Sequence, residues 1–372
     1  MAYTLWDRFL THNPKDPHWI NRDRFVLSAG HASMLLYSLL HLTGYDLSIS
    51  DLQSFRQWQS RTPGHPEYDQ TPGVEMTTGP LGQGFAHGVG MAMAERFLGV
   101  HYNRENYPVV DHFTYGIVSD GDLMEGVSGE AASLAGTLGL GKLVYLYDDN
   151  GISIEGDTRV TFTEDVGARF RAYGWHVVGP IDGMHVAALA TALEEAKGES
   201  TKPSLIIART TIGFGSPNKA NTGGVHGEPL GDAEIELTRD ALGWDYEPFD
   251  VPVDVRTHME QAVVRGAQAQ ATWNALMERY KTAFPQLAVE FSTDVSGAVK
   301  HDAFSPLESL FGSDTTMLST RDAGNRAMNA LASSIHGLTG GSADLAPSTK
   351  TIITSHPESP APSIDHNIHF GV

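Results

Sequence analysis

Two acidic turns, each placed directly after a predicted strand, could hold a metal ion between them. Asp120 lies in Ser-Asp-Gly-Asp (residues 119–122) after a buried strand that ends at Val118, and Asn150 lies in Asp-Asp-Asn-Gly-Ile (148–152) after the next strand. Because the carboxyl ends of parallel strands meet at one edge of a sheet, we predict that Asp120 and the Asn150 side-chain oxygen bind one Mg²⁺ or Ca²⁺. A tight glycine turn that opens a helix directs N–H groups at phosphate, so a diphosphate is expected to complete the site. Acidic turns are also common in ordinary loops, which leaves that alternative open.

Three histidines form a second candidate set. His31, His65 and His226 each lie beside a glycine in a segment of turn-forming residues. A histidine in such a loop can approach a substrate hydroxyl or phosphate and exchange protons near neutral pH. The alternative is that each is a surface histidine that caps a turn, and the residues alone do not decide between the two.

Other nucleotide-binding patterns and several classes of site are excluded. The segment Gly-Thr-Leu-Gly-Leu-Gly-Lys (136–142) resembles a phosphate-binding P-loop, but Leu143 follows the lysine and the segment precedes a strand instead of following one. Residues 79–84 lack the glycine spacing of a dinucleotide fingerprint. The absence of cysteine excludes disulfides and thiolate-ligated metals, and it fits a cytoplasmic protein.

Charge and hydropathy restrict the partners. The formal net charge of −20 argues against nucleic acid and anionic membrane surfaces as general partners. No run of 18 apolar residues is present, so we predict no membrane span, and the first residues lack the pattern of a signal peptide.

Strands and helices alternate between about residues 113 and 208, which positions both acidic turns. The patterns predict strands at 112–118, 142–147, 175–178 and 203–208, and helices at 125–138, 164–173 and 185–197. This alternation predicts an α/β fold: a doubly wound parallel sheet with helices on both faces. In the helical region before it, Gly84, Gly88 and Ala92 recur every fourth residue, which fits close packing either within the domain or between subunits.

The rest of the chain predicts a linker and a partial second domain. Residues 245–256 are rich in proline and acidic residues, 259–291 are helical with a break near Pro285, and 338–345 look like a strand that leads into a loop. We expect a diphosphate-binding domain at 1–250, a linker and helical segment at 251–317, and the incomplete start of a second α/β domain at 318–372.

Seven segments taken together resemble the thiamine-diphosphate-dependent transketolase family. They include Thr-Pro-Gly-His-Pro-Glu (62–67) and His-Gly-Glu-Pro-Leu-Gly (226–231), and the others lie at residues 27–37, 77–84, 148–154, 212–219 and 340–348. The two quoted strings argue against the related 1-deoxy-xylulose-phosphate synthases. The resemblance implies the N-terminal, diphosphate-binding half of a transketolase and the start of its pyrimidine domain, with both chain ends truncated.

The resemblance also implies roles for individual residues, numbered as in this chain. The metal ligands would be Asp120, Asn150 and the carbonyl of Ile152. The remaining roles form a longer set: cofactor contacts from His31, Gly79, Leu81, Gly121, Asn150, His226 and Asp344; catalytic roles for His65, His226 and Glu125; and sugar-phosphate contacts from His226, Arg321 and Ser348.

The implied activity is transfer of a two-carbon ketol unit from a ketose phosphate to an aldose phosphate, as in the pentose phosphate pathway or the Calvin cycle. Thiamine diphosphate and Mg²⁺ (or Ca²⁺) would be the cofactors. A homodimer, or pairing with a polypeptide that carries the pyrimidine domain, would complete the site, so we expect little or no activity from this chain alone. One polypeptide of a split transketolase and a non-catalytic thiamine-diphosphate-binding module remain alternatives.

The sequence departs from the family pattern at one position of the Asp120 turn. Ser119 stands where the family has the first glycine of Gly-Asp-Gly. A serine there would be unfavourable if the turn required a positive φ.

Overall fold

The structure, a computed structural model, describes residues 1–299, 301–311, 317–355 and 364–372. Its strands, numbered in chain order, are β1 Arg24–Leu27, β2 Thr114–Ser119, β3 Leu143–Asp149, β4 Ile152–Ser153, β5 Gly156–Asp157, β6 His176–Asp182, β7 Ser204–Arg209, β8 Gly340–Ser342 and β9 Asn367–His369. The α-helices are α1 Ala2–Arg8, α2 Ser33–Thr43, α3 Ile49–Gln53, α4 Gln83–Tyr102, α5 Asp120–Met124, α6 Gly126–Leu138, α7 Val166–Ala172, α8 Val186–Gly198, α9 Asp232–Leu242, α10 Val253–Met259, α11 Gln261–Ala283, α12 Pro285–Ser296, α13 Ser305–Phe311, α14 Thr320–Ala332 and α15 Ala346–Thr349.

The central sheet has five parallel strands in the order β1-β2-β3-β7-β6. The predicted parallel α/β sheet is therefore confirmed, and four of its strands fall where the sequence pattern puts them. The fifth strand, β1, was not predicted because it is only four residues long and begins with a charged residue, Arg24, although Phe25, Val26 and Leu27 are buried. Its position beside β2 brings the loop after Leu27 to the carboxyl edge of the sheet.

Helices cover both faces of this sheet, as β3 illustrates. Val144 and Leu146 belong to a buried cluster that also contains Leu189 and Leu193 of α8. Tyr145 points to the opposite face, where its ring stacks on Phe85 of α4 with centroids 4.5 Å apart. Neighbouring residues of a strand face opposite sides, so a nearly continuous apolar strand is what a sheet buried on both faces requires.

The small-residue stripe of α4 packs inside the domain. A Cβ on Gly84 would lie 2.6 Å from Ser28 Cα, and one on Gly88 would lie 2.0 Å from the Tyr145 hydroxyl oxygen. Ala92 continues the stripe and is buried. Of the two alternatives for this stripe, packing against the sheet is therefore the one that the structure supports.

A glycine of α6 is required for packing, and its replacement should be costly. A Cβ on Gly136 would lie 1.7 Å from the backbone oxygen of Tyr173, which cannot rotate away. We expect Gly136→Ala to lower the free energy of unfolding by about 3 kcal/mol in urea titrations. Gly129→Ala in the same helix is the control, because a Cβ there would lie 3.5 Å from the Tyr173 hydroxyl, an ordinary contact. It should change stability by no more than about 1 kcal/mol, towards greater stability. Equal losses in the two variants would contradict this assignment.

The chain divides into two compact units. The first comprises residues 1–94 and 111–272 and contains the five-stranded sheet. The second comprises residues 95–110 and 273–372. In the second unit, β8 pairs in parallel with β9, and the predicted helix break near Pro285 is present because α11 ends at Ala283 and α12 begins at Pro285. The domain boundaries predicted at residues 250 and 317 stay predictions.

Part of the predicted linker is helical. Helix α10 begins at Val253 inside the segment 245–256, with Pro252 as its N-cap residue. A proline is tolerated there because the first N–H groups of a helix have no intrahelical partner. Among the described residues, no helix is long and apolar enough to cross a membrane.

Candidate functional site

Loops at the carboxyl edge of the sheet converge on one region of the first unit. The loop after β1 contacts the loop before α4 so closely that a Cβ on Gly30 would lie 2.7 Å from the backbone nitrogen of Gly79. Gly79 itself has a φ of +151°, which glycine adopts without strain. Both glycines are therefore needed for the two loops to meet.

The three candidate histidines gather at these loops. The rings of His31 and His226 stack with centroids 5.1 Å apart and an interplanar angle of 26°. His65 lies beside Gly79, where an added Cβ would be 3.1 Å from His65 Cγ. Burial lowers the pKa of His31, the neighbouring imidazoles of His226 and His65 lower it further, and Asp122 acts in the opposite direction. Below its ordinary pKa range, His31 is neutral at pH 7 and offers one donor and one acceptor.

Two buried polar atoms in this region lack partners among the described residues. They are Nδ1 of His226 and Oγ1 of Thr78. Thr78 adjoins Gly79, and a Cβ on Gly30 would lie 2.7 Å from this hydroxyl oxygen. Buried polar atoms in native proteins are almost always hydrogen-bonded, so these two indicate where a polar ligand would bind.

Asp120 has the properties of a cation ligand. It is 4% exposed, and its carboxylate accepts hydrogen bonds from the Tyr147 hydroxyl at 2.5 Å and from the Gly151 N–H at 3.2 Å. Burial raises the pKa of Asp120 to about 6, the hydrogen bond from Tyr147 lowers it, and the nearby charge of Asp149 raises it. A carboxylate whose ionised form is disfavoured in this way would be stabilised by a divalent cation.

Asn150 and Ile152 follow Asp120 across the same sheet edge. The Asn150 side-chain oxygen accepts a hydrogen bond from the Ile152 N–H at 3.0 Å, and its amide donates to Asp148 Oδ2 at 3.0 Å. The hydrogen bond from Gly151 to Asp120 joins the two loops directly. A carboxylate, an amide oxygen and a backbone carbonyl form an all-oxygen donor set, which suits Mg²⁺ or Ca²⁺.

Metal binding should weaken in acid because Asp120 must release a proton. With its pKa raised to about 6, Asp120 is protonated below that pH in the metal-free chain and ionised above it. We expect the apparent Mg²⁺ affinity to be flat above pH 7 and to fall about tenfold per pH unit below pH 6, measured by calorimetry. The stability of the metal-free chain depends on pH in the opposite direction to metal binding. The raised pKa favours the folded state at low pH, and that contribution is lost as pH rises from about 4 to 6. A metal affinity independent of pH between 5 and 7 would contradict the role of Asp120.

The predicted cofactor contacts Leu81 and Gly121 lie side by side. A Cβ on Gly121 would lie 3.0 Å from Leu81 Cδ1, and one on Gly82 would lie 2.8 Å from the Cβ of Glu125. Glu125 is exposed and precedes α6. The structure thus brings together every predicted site residue of the first unit, and their roles stay predictions.

Ser119 does not strain the turn. Its φ is −110°, in the extended region, so the position does not require glycine. Its hydroxyl caps α5 by accepting a hydrogen bond from the Asp122 N–H at 3.4 Å. The departure from the Gly-Asp-Gly pattern is therefore compatible with the backbone that the turn adopts.

Three predicted site residues belong to the second unit. The Arg321 guanidinium donates to the backbone oxygen of Ser348 at 3.1 Å, so these two predicted sugar-phosphate residues adjoin each other and are exposed. Asp344 is also exposed and has a positive φ of 61°.

The second unit also contains a group of acidic and imidazole side chains that the sequence did not suggest. The ligand atoms of Glu290, Asp294 and His336 lie within 4.8 Å of one another. Both carboxylates already accept hydrogen bonds, Asp294 from the Tyr102 hydroxyl at 2.5 Å and Glu290 from His101 at 2.5 Å. Both carboxylates of the group therefore already have hydrogen-bond partners in the protein.

Sequence reasoning missed the partners of the site residues. Tyr147, Thr78 and Asp122 each contact or adjoin a predicted site residue, and none was singled out. For Asp122 a signal existed, because Ser119 and Asp122 have the spacing of a capping box.

Comparison with known proteins identifies the family. A sequence profile described as "Transketolase, thiamine diphosphate binding domain" matches residues 1–300. A transketolase of Halalkalibacterium halodurans is 56% identical over 356 residues, which cover 95% of this chain and 53% of that protein. Transketolase 2 of Escherichia coli is 51% identical over 378 residues, which cover 100% of this chain and 56% of that protein.

Solved structures agree with these relatives. A transketolase from Leishmania mexicana superposes with a TM-score of 0.94 at 42% identity, and the match covers 100% of this chain and 55% of that one. A transketolase of Pichia stipitis in complex with sedoheptulose-7-phosphate superposes with a TM-score of 0.93 at 42% identity, over 100% of this chain and 56% of that one. The chain thus spans about half the length of the relatives it matches. It belongs to the transketolase family, and its first 300 residues match that family's thiamine diphosphate-binding domain.

Proposed function

We propose that this chain supplies the thiamine diphosphate- and metal-binding half of a transketolase. The observation that carries the proposal is the convergence of Asp120 and Asn150 with His31 and His226 at one sheet edge, where the buried Nδ1 of His226 has no partner among the described residues. Unpaired buried polar atoms and a carboxylate that burial destabilises fit a polar, anionic ligand bound together with a cation.

Different residues of the chain are proposed to bind the metal, the diphosphate and the aminopyrimidine. Asp120, Asn150 and the carbonyl of Ile152 would hold Mg²⁺, with Ca²⁺ as the alternative. The turn at Gly121, together with His31 and His226, contacts the diphosphate, and Gly79 with Leu81 contacts the aminopyrimidine. Thiamine diphosphate, when bound, supplies the electron sink for breaking and forming a carbon–carbon bond.

Phosphorylated sugars are the proposed substrates. The reaction is transfer of a two-carbon ketol unit from a ketose phosphate to an aldose phosphate, as in the pentose phosphate pathway. His65 and His226 hold and move protons at sugar hydroxyls, and neutral His31 is able to accept one. Arg321 and Ser348 bind the sugar phosphate, a task that suits the planar arginine fork. The Pichia stipitis relative with bound sedoheptulose-7-phosphate supports this substrate class.

The active assembly is proposed to contain a pyrimidine-binding half in addition to this chain, supplied by a homodimer or by a separate polypeptide. Glu125 would belong to a carboxylate network between two active sites, and Asp344 would lie near the cofactor of the partner. The cytoplasm is the proposed location.

The test is calorimetric titration of the purified chain with thiamine diphosphate, with Mg²⁺ and with EDTA. We expect binding with Mg²⁺ and none with EDTA, because Asp120 and Asn150 would hold the cation, and the cation would supply positive charge for an anionic diphosphate. Equal binding in both conditions would overturn the metal site. Absence of binding in both would overturn the proposal that this half binds the cofactor by itself.

A further inference from the structure

Asp122 is a buried carboxylate that none of the roles above uses. Its side chain is fully buried. Oδ1 accepts hydrogen bonds from the Ser28 hydroxyl at 2.7 Å and from the Gly82 N–H at 2.9 Å. Oδ2 accepts from the N–H of Ser119 at 2.9 Å and from its hydroxyl at 3.0 Å. Four donors from three chain segments therefore satisfy a single carboxylate.

Each of these segments carries residues of the candidate cofactor site. Ser28 ends β1 and is followed by the turn that contains His31. Gly82 follows Gly79 and Leu81 in the loop that contacts that turn. Ser119 precedes Asp120 and Gly121. The Ser28 hydroxyl also accepts a hydrogen bond from the Phe85 N–H at 3.0 Å, which ties the start of α4 to the same point.

The charge of Asp122 acts on the histidine group as well. It opposes the effect of His226 and His65 on the pKa of His31. These are the charged groups that face His31 among the described residues. A buried anion near His31 offsets positive charge that the imidazoles and a cation would accumulate.

We propose that Asp122 is a positioning residue that fixes the loops carrying His31, Leu81 and Asp120 relative to one another and holds a negative charge near His31. This inference rests on the proposed function, because it assigns Asp122 to the same cofactor site. A carboxylate suits the role because both of its oxygens accept hydrogen bonds, whereas an asparagine would present an N–H group to one of the donors.

The chain contains a matched control for the simpler explanation that Asp122 only caps α5. Asp51 forms the same capping box with Ser48 at α3. Asp51 Oδ2 accepts hydrogen bonds from the N–H and the hydroxyl of Ser48, each at 2.7 Å. Asp51 lies outside the candidate site, so Asp51→Asn measures the loss of a capping box together with an ion pair to Arg61 at 3.6 Å.

The first experiment compares hydrogen–deuterium exchange of wild type, Asp122→Asn and Asp51→Asn in the ligand-free chain. We expect exchange in peptides covering residues 79–85 to be at least about tenfold faster in Asp122→Asn and unchanged in Asp51→Asn. NMR titration of ¹³C-labelled histidine, with His31→Gln to assign the signal, should show a further decrease in the pKa of His31 in Asp122→Asn only. Unchanged exchange at 79–85 together with an unchanged His31 titration would overturn the proposal.

Two further variants separate the loss of the helix cap from the loss of the loop contacts and provide a substitute if Asp122→Asn does not fold. Ser119→Gly removes the cap but leaves Asp122 bonded to Ser28 and Gly82, so it should keep both the protection at 79–85 and the His31 titration. If Asp122→Asn does not fold, Ser28→Ala replaces it, and it should speed exchange at 79–85 without changing the circular dichroism spectrum. Wild-type exchange rates in Ser28→Ala would then overturn the proposal.

The last measurement separates this inference from the proposed function. With Mg²⁺ present, the Kd for thiamine diphosphate should rise about tenfold in Asp122→Asn, which is about 1.4 kcal/mol, and less than about twofold in Asp51→Asn. If wild type does not bind thiamine diphosphate, the proposed function fails, while the ligand-free exchange and histidine titration still decide whether Asp122 holds the loops together.

Discussion

Asp120→Asn is expected to weaken thiamine diphosphate binding at least about 100-fold in the presence of Mg²⁺ and to abolish the difference between Mg²⁺ and EDTA. The substitution keeps the shape of the side chain but removes the anionic oxygen pair that a hard divalent cation requires. A 100-fold loss corresponds to about 2.7 kcal/mol of binding free energy. Calorimetry of wild type and variant at pH 8 measures it.

The stability of the same variant distinguishes a lost ligand from a damaged fold. Burial raises the pKa of Asp120, so the ionised carboxylate destabilises the metal-free fold above pH 6. We therefore expect the Tm of Asp120→Asn at pH 8 to lie within a few degrees of wild type. Asp111→Asn is the control, because Asp111 precedes β2 at its amino end and its carboxylate pairs with Lys142 at 2.7 Å. An Asp120→Asn variant that binds as tightly as wild type would rule out the metal site.

Two-carbon transfer is expected to be undetectable with the purified chain alone and to appear when the remaining half of a transketolase is added as a separate polypeptide. The chain covers 53% and 56% of the two relatives described above. The family resemblance implies that a polypeptide carrying the pyrimidine domain would complete the cofactor site. The measurement is a coupled assay with a ketose phosphate donor and an aldose phosphate acceptor.

Two controls make the complementation informative. Asp120→Asn in the added pair should remain inactive, because the metal-bridged diphosphate would be lost. Asp111→Asn should support the activity of wild type. Activity of the chain by itself at ordinary enzyme concentrations would contradict the expectation that two halves are needed. Binding of thiamine diphosphate without activity in any combination would favour a non-catalytic module.

Local sequence predicted the parts of the fold that depend on neighbouring residues. Strands β2, β3, β6 and β7 follow from apolar runs bounded by helical patterns, and their order along the chain implies a parallel sheet. The position of Asp120 and Asn150 at one edge follows from the same order, because parallel strands end on the same side. The structure joins their loops through the hydrogen bond from Gly151 to Asp120.

The packing partner of the small-residue stripe on α4 could not be predicted, because the residues in contact lie far apart in the chain. Gly88 packs against Tyr145 of β3, and no local pattern distinguishes such a contact from one between subunits. The strand β1 was missed for a similar reason. Four residues give too little periodicity to identify, and its pairing with β2, about 90 residues later, makes it a strand.

The sequence was therefore enough to predict the family, the parallel α/β architecture and the residue types of a candidate cation and diphosphate site. The surroundings of these residues depend on contacts that form only in the folded chain. The tertiary structure gave Ser119 an extended backbone, left Nδ1 of His226 buried without a partner among the described residues, and joined Asp122 to Ser28 and Gly82. These features could not be predicted because motifs and periodicity are local patterns. The hydrogen bonds of Asp122 to Ser28 and Gly82 join residues 94 and 40 positions apart, which come together only when the chain folds.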